Sequence, residues 1–371
     1  MKIIEKEHNG CKPLYPIERF CPVDKALFID IETTGLKKET SDLYLIGCGY
    51  FTPSGFETKL FFADSSDEEK DILRAFCSFS KDYTHMFHFN GDRFDIPYLL
   101  YKAEKYDMGD IFRCKEQIDI YRLCKPLRYL LFPGSMKQKA IESFLQIKRE
   151  DLYNGGELIE VYKRYEKNNN EEDLKLLLTH NEEDVFGMPS ILPILYYLDL
   201  YDADIKYRSY VINSYRDYDG TDKQEVIFSF STDVYFPVSF ISKTETMYVK
   251  ASSKDGSITI RLPLYEGEML LFFDNYRDYI YLPAEDTVIP KALATTLPKD
   301  RYQKATKDKC CQKVTGTFLK QPSEVFTPVL VTAYKDKKKY FRFPDCFNEK
   351  AADEFGRRLI NIFFTMKRRS I

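Results

Sequence analysis

The sequence of 371 residues contains no tryptophan, only four histidines and no pair of cysteines separated by two residues. It also has no apolar run of the roughly 18 residues that a membrane-spanning helix requires. The first ten residues, MKIIEKEHNG, lack the apolar centre and the small-residue cleavage site of a signal peptide. These absences argue against a membrane-spanning or secreted chain, and we expect a cytoplasmic protein with no membrane partner.

The nine cysteines indicate reduced thiols rather than a disulfide framework. Their number is odd, and none of them has the CxxC spacing that is common in zinc sites. Disulfides are also rare in the cytosol, where thiols are kept reduced. We therefore expect neither a set of structural disulfides nor a zinc site in this chain.

The residue pattern changes along the chain and predicts two domains. Strand-like and helix-like segments alternate up to about residue 202. Beyond it, short segments rich in β-branched and aromatic residues are separated by turns such as Lys254-Asp255-Gly256. We predict an N-terminal extension over residues 1–24, an α/β domain over 25–202 and a largely β domain over 203–371.

The net charge of −3 conceals an uneven distribution of charge. Residues 205–371 contain 28 lysines and arginines against 21 acids, whereas the first 204 residues contain 27 against 37. From Lys291 onward the excess is steepest, with 19 basic and 8 acidic residues. A basic surface suits nucleic acid, so nucleic-acid binding is one interpretation of residues 203–371. A lysine-rich solvated surface or a protein-docking domain is the alternative.

The stretch LFIDIETTGL, residues 27–36, places two carboxylates one residue apart after an aliphatic run. Side chains at positions i and i+2 of a strand lie on the same face, so Asp30 and Glu32 are predicted to project side by side. Two like charges in a buried sheet cost free energy unless a partner offsets them. A divalent cation is one such partner, because magnesium and manganese prefer carboxylate oxygens. A buried pair neutralised by lysine or arginine is the alternative.

Two further segments contain the additional side chains that a cation site needs. In FHFNGDRFDIPYLL, Asp95 is predicted at the start of a helix, with Pro97 in the first helical turn. In THNEEDVFGM, His180 lies four residues before Asp184, which predicts both side chains on one face of a helix. The alternatives are helix capping by Asp95, a solvated acidic face around Asp184 and a packed or exposed His180.

The three segments together resemble the exonuclease motifs of the DnaQ-like DEDD superfamily. DIETTG, FNGDRFDIPYLL and HNEED occur in that order, and the second also resembles the proofreading domain of family B DNA polymerases. The pattern from SMKQKAIESF to LLTHNEEDV is similar to the YprB-type ribonuclease H-like domain family. The resemblance covers residues 26–200. It implies an α/β fold of ribonuclease H-like type, with a mixed five-stranded sheet flanked by helices.

The resemblance also implies a 3′–5′ exonuclease that acts on single-stranded DNA or RNA. Two Mg²⁺ or Mn²⁺ ions are expected on Asp30, Glu32, Asp95 and Asp184, where they would promote attack of water on phosphorus. His180 stands at the spacing at which one class of the superfamily has tyrosine, and it is expected to orient or deprotonate that water. An endonuclease or structure-selective nuclease with the same metal site is one alternative. A nucleic-acid-binding module without turnover is another.

Residues beside these motifs are candidates for contacts with the substrate. Backbone amides near Gly35 are expected to meet the terminal nucleotide, and Leu36 or Phe94 to wedge against a base. Asp119 is a minor candidate for a supporting role, whereas Asp92 is expected to be a turn residue. The full set of substrate-binding candidates is Thr33, Gly35, Leu36, Asn90 and Phe94.

Overall fold

The computed structural model describes residues 1–132, 134–150, 153, 155–343 and 347–369. The chain divides into two compact units. The N-terminal unit comprises Met1–Asp199 and Phe236–Val238, and the C-terminal unit comprises Leu200–Tyr235 and Ser239–Arg369. Because the candidate motifs all precede residue 199, the whole of the predicted site falls in the N-terminal unit.

A mixed sheet of six strands forms the centre of the N-terminal unit, in the order β1-β4-β3-β2-β5-β6. The strands β5 and β6 run parallel to β2, and the remaining neighbours are antiparallel. This confirms the predicted fold class, with one strand more than the expected five because the first residues of the chain pair with β4. The strands are β1 Lys2–Asn9, β2 Ala26–Thr33, β3 Leu43–Thr52, β4 Gly55–Phe62, β5 His85–His88 and β6 Glu116–Asp119.

Helices pack against this sheet, and the alternation of side chains along β2 separates its two faces. Leu27, Ile29 and Ile31 belong to a buried core that also contains residues of α1. Asp30 lies on the opposite face, because strand side chains alternate, and α7 packs there. The helices are α1 Glu69–Phe79, α2 Asp95–Lys105, α3 Ile120–Cys124, α4 Arg128–Leu131, α5 Gln138–Phe144, α6 Gly155–Asn168 and α7 Glu171–Ile191.

Two glycines on β3 allow α7 to lie close to the sheet. Gly47 is the partner of Asp30 in the antiparallel pair of β2 and β3. A Cβ atom at Gly47 would lie 2.0 Å from Oδ1 of Asn181, and one at Gly49 would lie 2.6 Å from a methyl group of Val185. Any larger residue at either position would therefore push α7 away from the strand that carries Asp30.

The C-terminal unit is built mainly from antiparallel strands. The long strand β11 pairs with β8 and β10 along its first half and with β15 along its second half. Helix α8 packs on β7, and its Phe355 contacts the rings of Phe228 and Phe341. The elements are β7 Lys206–Arg216, β8 Asp222–Ser231, β9 Phe240–Lys243, β10 Tyr248–Ala251, β11 Ser257–Phe272, β12 Tyr279–Leu282, β13 Thr287–Pro290, β14 Gln303–Lys304, β15 Cys311–Gln321, β16 Lys339–Phe343 and α8 Glu349–Arg369.

None of the helices in the described part of the chain is long and apolar enough to cross a membrane. Eight of the nine cysteines lie among the described residues, and all eight are free thiols. The ninth, Cys346, lies outside the described residues.

Candidate active site

The central strand β2 presents the first two carboxylates at its carboxyl end. Asp30 and Glu32 are two residues apart in a regular strand that lies between β3 and β5, so both side chains project from one face. Glu32 is almost fully buried, with 9% of its surface exposed. A buried carboxylate in the middle of a sheet requires a compensating partner.

Helix α7 brings three polar side chains onto these carboxylates. Nε2 of His180 lies 3.4 Å from Oε1 of Glu32 and 3.4 Å from Oδ2 of Asp184. The predicted alignment of His180 with Asp184 on one helix face is thus observed. Asn181, which the sequence analysis did not single out, donates its side-chain N–H to Oδ2 of Asp30 across 2.8 Å.

The first residue of helix α2, Asp95, approaches the same end of β2. Its Oδ1 accepts a hydrogen bond of 3.3 Å from the backbone N–H of Ile31, the residue between the two strand carboxylates. No described side chain caps this helix at residue 94, and Asp95 is itself buried with 7% of its surface exposed. Asp95 therefore contacts β2. A residue that only caps a helix would not need this contact.

Burial and neighbouring charges together raise the pKa values of two of the acids. Burial, together with the charges of Asp184, Asp95 and Glu32, raises the pKa of Asp30 well above its usual value. Burial likewise raises the pKa of Asp95 to about 7, and the charges of Asp119 and Asp184 add to this effect. Mutual repulsion of this kind is relieved by a cation bound between the carboxylates.

Arg149 supplies positive charge at the edge of the cluster. Its guanidinium lies 2.5 Å from Oδ1 of Asp184, and it also contacts Glu142 and Glu183 at 3.3 and 3.4 Å. Gln138 donates to Glu142 and to the backbone oxygen of Asp184. The sequence analysis missed these residues, since nothing in the local pattern of residues 138–149 relates them to a helix about 40 positions further on.

The predicted substrate residues that follow β2 form a turn. The Thr33 hydroxyl donates to the backbone oxygen of Gly35, and the Ser41 hydroxyl reaches the same oxygen. Leu36 leaves this turn with 84% of its surface exposed, which is high for a leucine. An exposed apolar side chain beside the acids has the character expected of a residue that contacts a base, and this role remains a prediction.

The predicted substrate residues that precede α2 lie on the loop after β5. Asn90 adopts a left-handed backbone conformation with φ of 62°, and its N–H donates to Oδ1 of Asp119 across 2.9 Å. Phe94 is only partly buried and its ring centroid lies 5.5 Å from that of Tyr98. Asp119 also accepts from the N–H of Arg122 at the start of α3. Asp119 therefore fixes the Asn90 loop.

His88, Asp92 and Asp119 form a second group whose potential ligand atoms lie within 4.8 Å of one another. Asp92 pairs with Arg122 at 2.7 Å, and the Asp119 carboxylate accepts backbone N–H groups. Asp92 is thus paired with a cation and Asp119 is satisfied by backbone N–H groups, so this group holds the loop that leads to Asp95.

The donor set around β2 fits a hard divalent cation. Glu32, His180 and Asp184 offer ligand atoms within 4.8 Å of one another, and the charges of Asp184, Asp95 and Glu32 all help to raise the pKa of Asp30. Carboxylate oxygens are the ligands that Mg²⁺ and Mn²⁺ prefer. The four predicted acids and His180 thus come from a strand, a helix start and a helix face that meet at one point.

Comparison with solved structures gives only distant likenesses. The family B DNA polymerase of the archaeon Pyrobaculum calidifontis is 14% identical with a TM-score of 0.38, and the match covers 68% of this chain but 35% of the polymerase. A product-bound exonuclease I is 10% identical with a TM-score of 0.32, and the match covers 93% of this chain and 71% of the exonuclease. Exonuclease I of E. coli in complex with a 5cy-dA13 oligonucleotide is 13% identical with a TM-score of 0.28, and the match covers 92% of this chain and 70% of the exonuclease. Likeness at this level supports no inference about activity.

Comparison of sequences gives a more definite assignment. No curated protein matches this chain significantly. The family model that matches is described as RNase_H superfamily, and the match extends over residues 27–196. This range includes all four acids, His180 and the six-stranded sheet except for β1 and the first residue of β2. Residues 27–196 of this chain are therefore a domain of the ribonuclease H superfamily.

Proposed function

We propose that this chain is a divalent-metal-dependent 3′–5′ exonuclease that hydrolyses phosphodiester bonds of single-stranded DNA or RNA. The observation that carries the proposal is the convergence of Asp30, Glu32, Asp95 and Asp184 on one end of β2. Two divalent cations held by these carboxylates would neutralise charge on the phosphate and lower the pKa of the attacking water. The match to the ribonuclease H superfamily supports the proposal.

The side chains and backbone around the acids would hold two of the carboxylates in place and accept a proton. Asn181 holds the Asp30 carboxylate, and the backbone N–H of Ile31 holds that of Asp95, so two of the acids have fixed orientations. His180 lies on the same face of α7 as Asp184, and its Nε2 also lies near Glu32. In this position the imidazole would accept the proton of the attacking water. The water oxygen would bond to phosphorus while the bond from phosphorus to the 3′ oxygen of the strand breaks. That 3′ oxygen would take a proton from solvent and become the new 3′-hydroxyl, and a nucleoside 5′-monophosphate would be released.

Labelled oligonucleotides test the proposal directly. With Mg²⁺ or Mn²⁺, a single strand labelled at its 5′ end should give a ladder of shortening products, and EDTA should stop the reaction. The variants Asp30→Asn and Asp184→Asn should lose hydrolysis and keep the fold, because each removes one cation ligand without changing the size of the side chain. Full activity of Asp30→Asn with Mg²⁺ would overturn the assignment of the site.

The same assay separates the alternative functions. A circular single strand has no 3′ end, so cleavage of the circle would establish the endonuclease alternative. Binding of the oligonucleotide without hydrolysis under either metal would establish a module without turnover. Parallel DNA and RNA substrates of one sequence decide between the two nucleic acids, which differ at the 2′-hydroxyl.

The C-terminal unit is proposed to increase affinity for the nucleic acid. The basic excess of its sequence supports this role, but part of the charge is already neutralised in the fold. Lys338 lies 2.8 Å from Glu245, Lys339 pairs with Glu324, and Lys313 lies 2.7 Å from Asp286. The net positive field is therefore weaker than the lysine count alone suggests.

A further inference from the structure

A surface cavity of about 530 Å³ lies beside the carboxylate cluster of the N-terminal unit. This volume is within the range of about 300–1,000 Å³ that is typical of ligand sites. Its described lining contains no acidic residue, three cationic side chains and two aromatic rings. The cavity is distinct in composition from the acidic site next to it, and the sequence analysis assigned only one of its residues, Asn90, to substrate binding.

A hydrogen bond and a loop connect the walls of the cavity to the acids. Gln138 lines the cavity and donates to the backbone oxygen of Asp184 across 2.9 Å. Asn90 also lines it, on the loop that Asp119 holds and that leads into α2 at Asp95. The cavity therefore adjoins the elements that carry two of the four carboxylates.

The cationic side chains of the cavity are Arg93, Arg128 and Lys137, and all three residues are exposed. Within the part of the chain that the structure describes, none of them forms an ion pair with a carboxylate. This contrasts with Arg122 and Arg149 close by, which pair with Asp92 and with Asp184. Three cations without acidic partners along one cavity suit a ligand that carries several negative charges.

The aromatic side chains of the cavity are Phe89 and Tyr121. Their ring centroids are 5.8 Å apart with an interplanar angle of 66°, so the edge of one ring meets the face of the other. Both residues are half-buried, which fixes the rings and leaves part of their surface to the cavity. Rings held in this way stack well on nucleic-acid bases, and the bases of a single strand offer their faces for stacking, unlike those inside a duplex.

We infer that this cavity binds the nucleotides on the 5′ side of the scissile bond of a single strand. The inference rests on the proposed exonuclease function. In a 3′–5′ exonuclease only one nucleotide lies on the 3′ side of the scissile phosphate, so the other phosphates of the strand all lie on the 5′ side. A cavity with three cations fits that side, with Arg128 and Lys137 on the phosphates and Tyr121 beneath a base.

Two substrates separate this cavity from the cation site. p-Nitrophenyl thymidine 5′-monophosphate has a scissile phosphate but no nucleotide on the 5′ side of it, whereas a ten-nucleotide oligothymidylate has nine. In the double variant Arg128→Glu/Lys137→Glu, the ratio of kcat/KM for the oligonucleotide to that for the nitrophenyl ester should fall by about tenfold or more. The same loss should appear in the Kd of the fluorescein-labelled oligonucleotide measured by anisotropy in EDTA.

A matched control tests whether charge alone causes the loss. Lys70→Glu/Arg74→Glu makes the same double charge reversal on the exposed surface of α1, outside the cavity, and should leave both the ratio and the Kd unchanged. Tyr121→Ala should weaken oligonucleotide binding without changing its salt dependence, because the variant removes stacking and no charge.

The outcomes distinguish the two proposals. If the double variant binds and hydrolyses the oligonucleotide like the wild type, the cavity is not the binding site, even though the proposed exonuclease function stands. If the wild-type protein hydrolyses neither substrate, the proposed function fails. The anisotropy measurement then still decides whether the cavity binds a single strand. Circular dichroism and thermal melts establish that each variant is folded.

Discussion

Asn181 on α7 donates its side-chain N–H to Oδ2 of Asp30 on β2 across 2.8 Å, which joins two residues 151 positions apart in the sequence. Asn181 is completely buried, and it carries no charge that would compete with a bound cation. The bond fixes one oxygen of Asp30 and leaves the other for a ligand. In the proposed cation site, Asn181 would therefore position the Asp30 carboxylate.

Removal of this amide should weaken cation binding. We expect Asn181→Ala to lower the affinity for Mn²⁺ by about 10–100-fold, as the loss of an outer partner of a metal ligand does in other proteins. The free energy of unfolding should fall by about 1–3 kcal/mol, because the variant removes a buried hydrogen bond. Titration with Mn²⁺ and urea unfolding measure the two effects, and unchanged Mn²⁺ affinity would show that Asn181 serves the fold alone.

The close approach of Gly47 to Asn181 should not tolerate a methyl group. In Gly47→Ala the new Cβ would lie 2.0 Å from Oδ1 of Asn181, so α7 must shift away from β2. We expect a loss of about 1–3 kcal/mol of stability, which is typical of an overpacked core, together with loss of hydrolysis. Gly155→Ala is the matched control, because a Cβ there meets no atom within 4 Å. Equal melting temperatures for the two variants would contradict the close approach of α7.

The stability of the metal-free protein should depend on the ionisation of Asp95. Burial raises the pKa of Asp95 to about 7, whereas an aspartate in the unfolded chain has a pKa of about 3.9. The folded protein therefore binds the proton more tightly, and the contribution of this group to stability falls as the pH rises from about 4 to about 7. Asp95→Asn cannot ionise, and its side-chain oxygen still accepts from the N–H of Ile31.

We expect Asp95→Asn to be more stable than the wild type at pH 8 by a few kcal/mol, on the order that this pKa difference implies. The difference in the free energy of unfolding between Asp95→Asn and the wild type should become smaller toward pH 4. Urea unfolding in EDTA at both pH values measures it, with Asp274→Asn on the exposed surface of the C-terminal unit as the control. A difference that does not change with pH would exclude the titration of Asp95 as its cause.

His180 should contribute to proton transfer in the chemical step. Its Nε2 lies 3.4 Å from carboxylate oxygens of Glu32 and Asp184, where the imidazole would accept the proton of the attacking water. His180→Ala should reduce kcat by about 100-fold or more, which is the usual contribution of a general base. His180→Tyr should keep partial activity, because one class of the superfamily that the motifs resemble has tyrosine at this spacing. Single-turnover rates measure both variants, and a wild-type rate in His180→Ala would assign His180 a purely structural role.

The lysine run Lys337–Lys339 tests the proposed role of the C-terminal unit. Replacement of all three lysines by glutamine avoids new repulsion against Glu245 and Glu324, which pair with two of them. If these lysines bind phosphates, the affinity for a long single strand should fall. The slope of log affinity against log salt should become shallower by about 0.7 for each phosphate that is no longer neutralised. Lys163→Gln/Lys167→Gln on α6 is the control, and an unchanged salt slope in the triple variant would exclude the run from the binding surface.

Local periodicity was sufficient to predict the parts of the site that lie within one element. The spacing of two residues in a strand places Asp30 and Glu32 on one face, and the spacing of four residues in a helix places His180 beside Asp184. These two features depend on backbone geometry and on residues close together in the chain. The fold class was predicted from the resemblance of three motifs to a known superfamily, and the family match over residues 27–196 agrees with it.

The contacts between elements were decided by the tertiary structure. The sequence did not indicate that Lys2–Asn9 forms a sixth strand, that Gly47 makes room for Asn181, or that Arg149 reaches Asp184. The cavity with Arg128 and Lys137 likewise combines residues of separate segments. Such contacts depend on how closely helices and strands pack, and this distance is set by the volumes of side chains that lie far apart in the chain. The sequence thus determined the acids and their local order, and packing decided which side chains surround them.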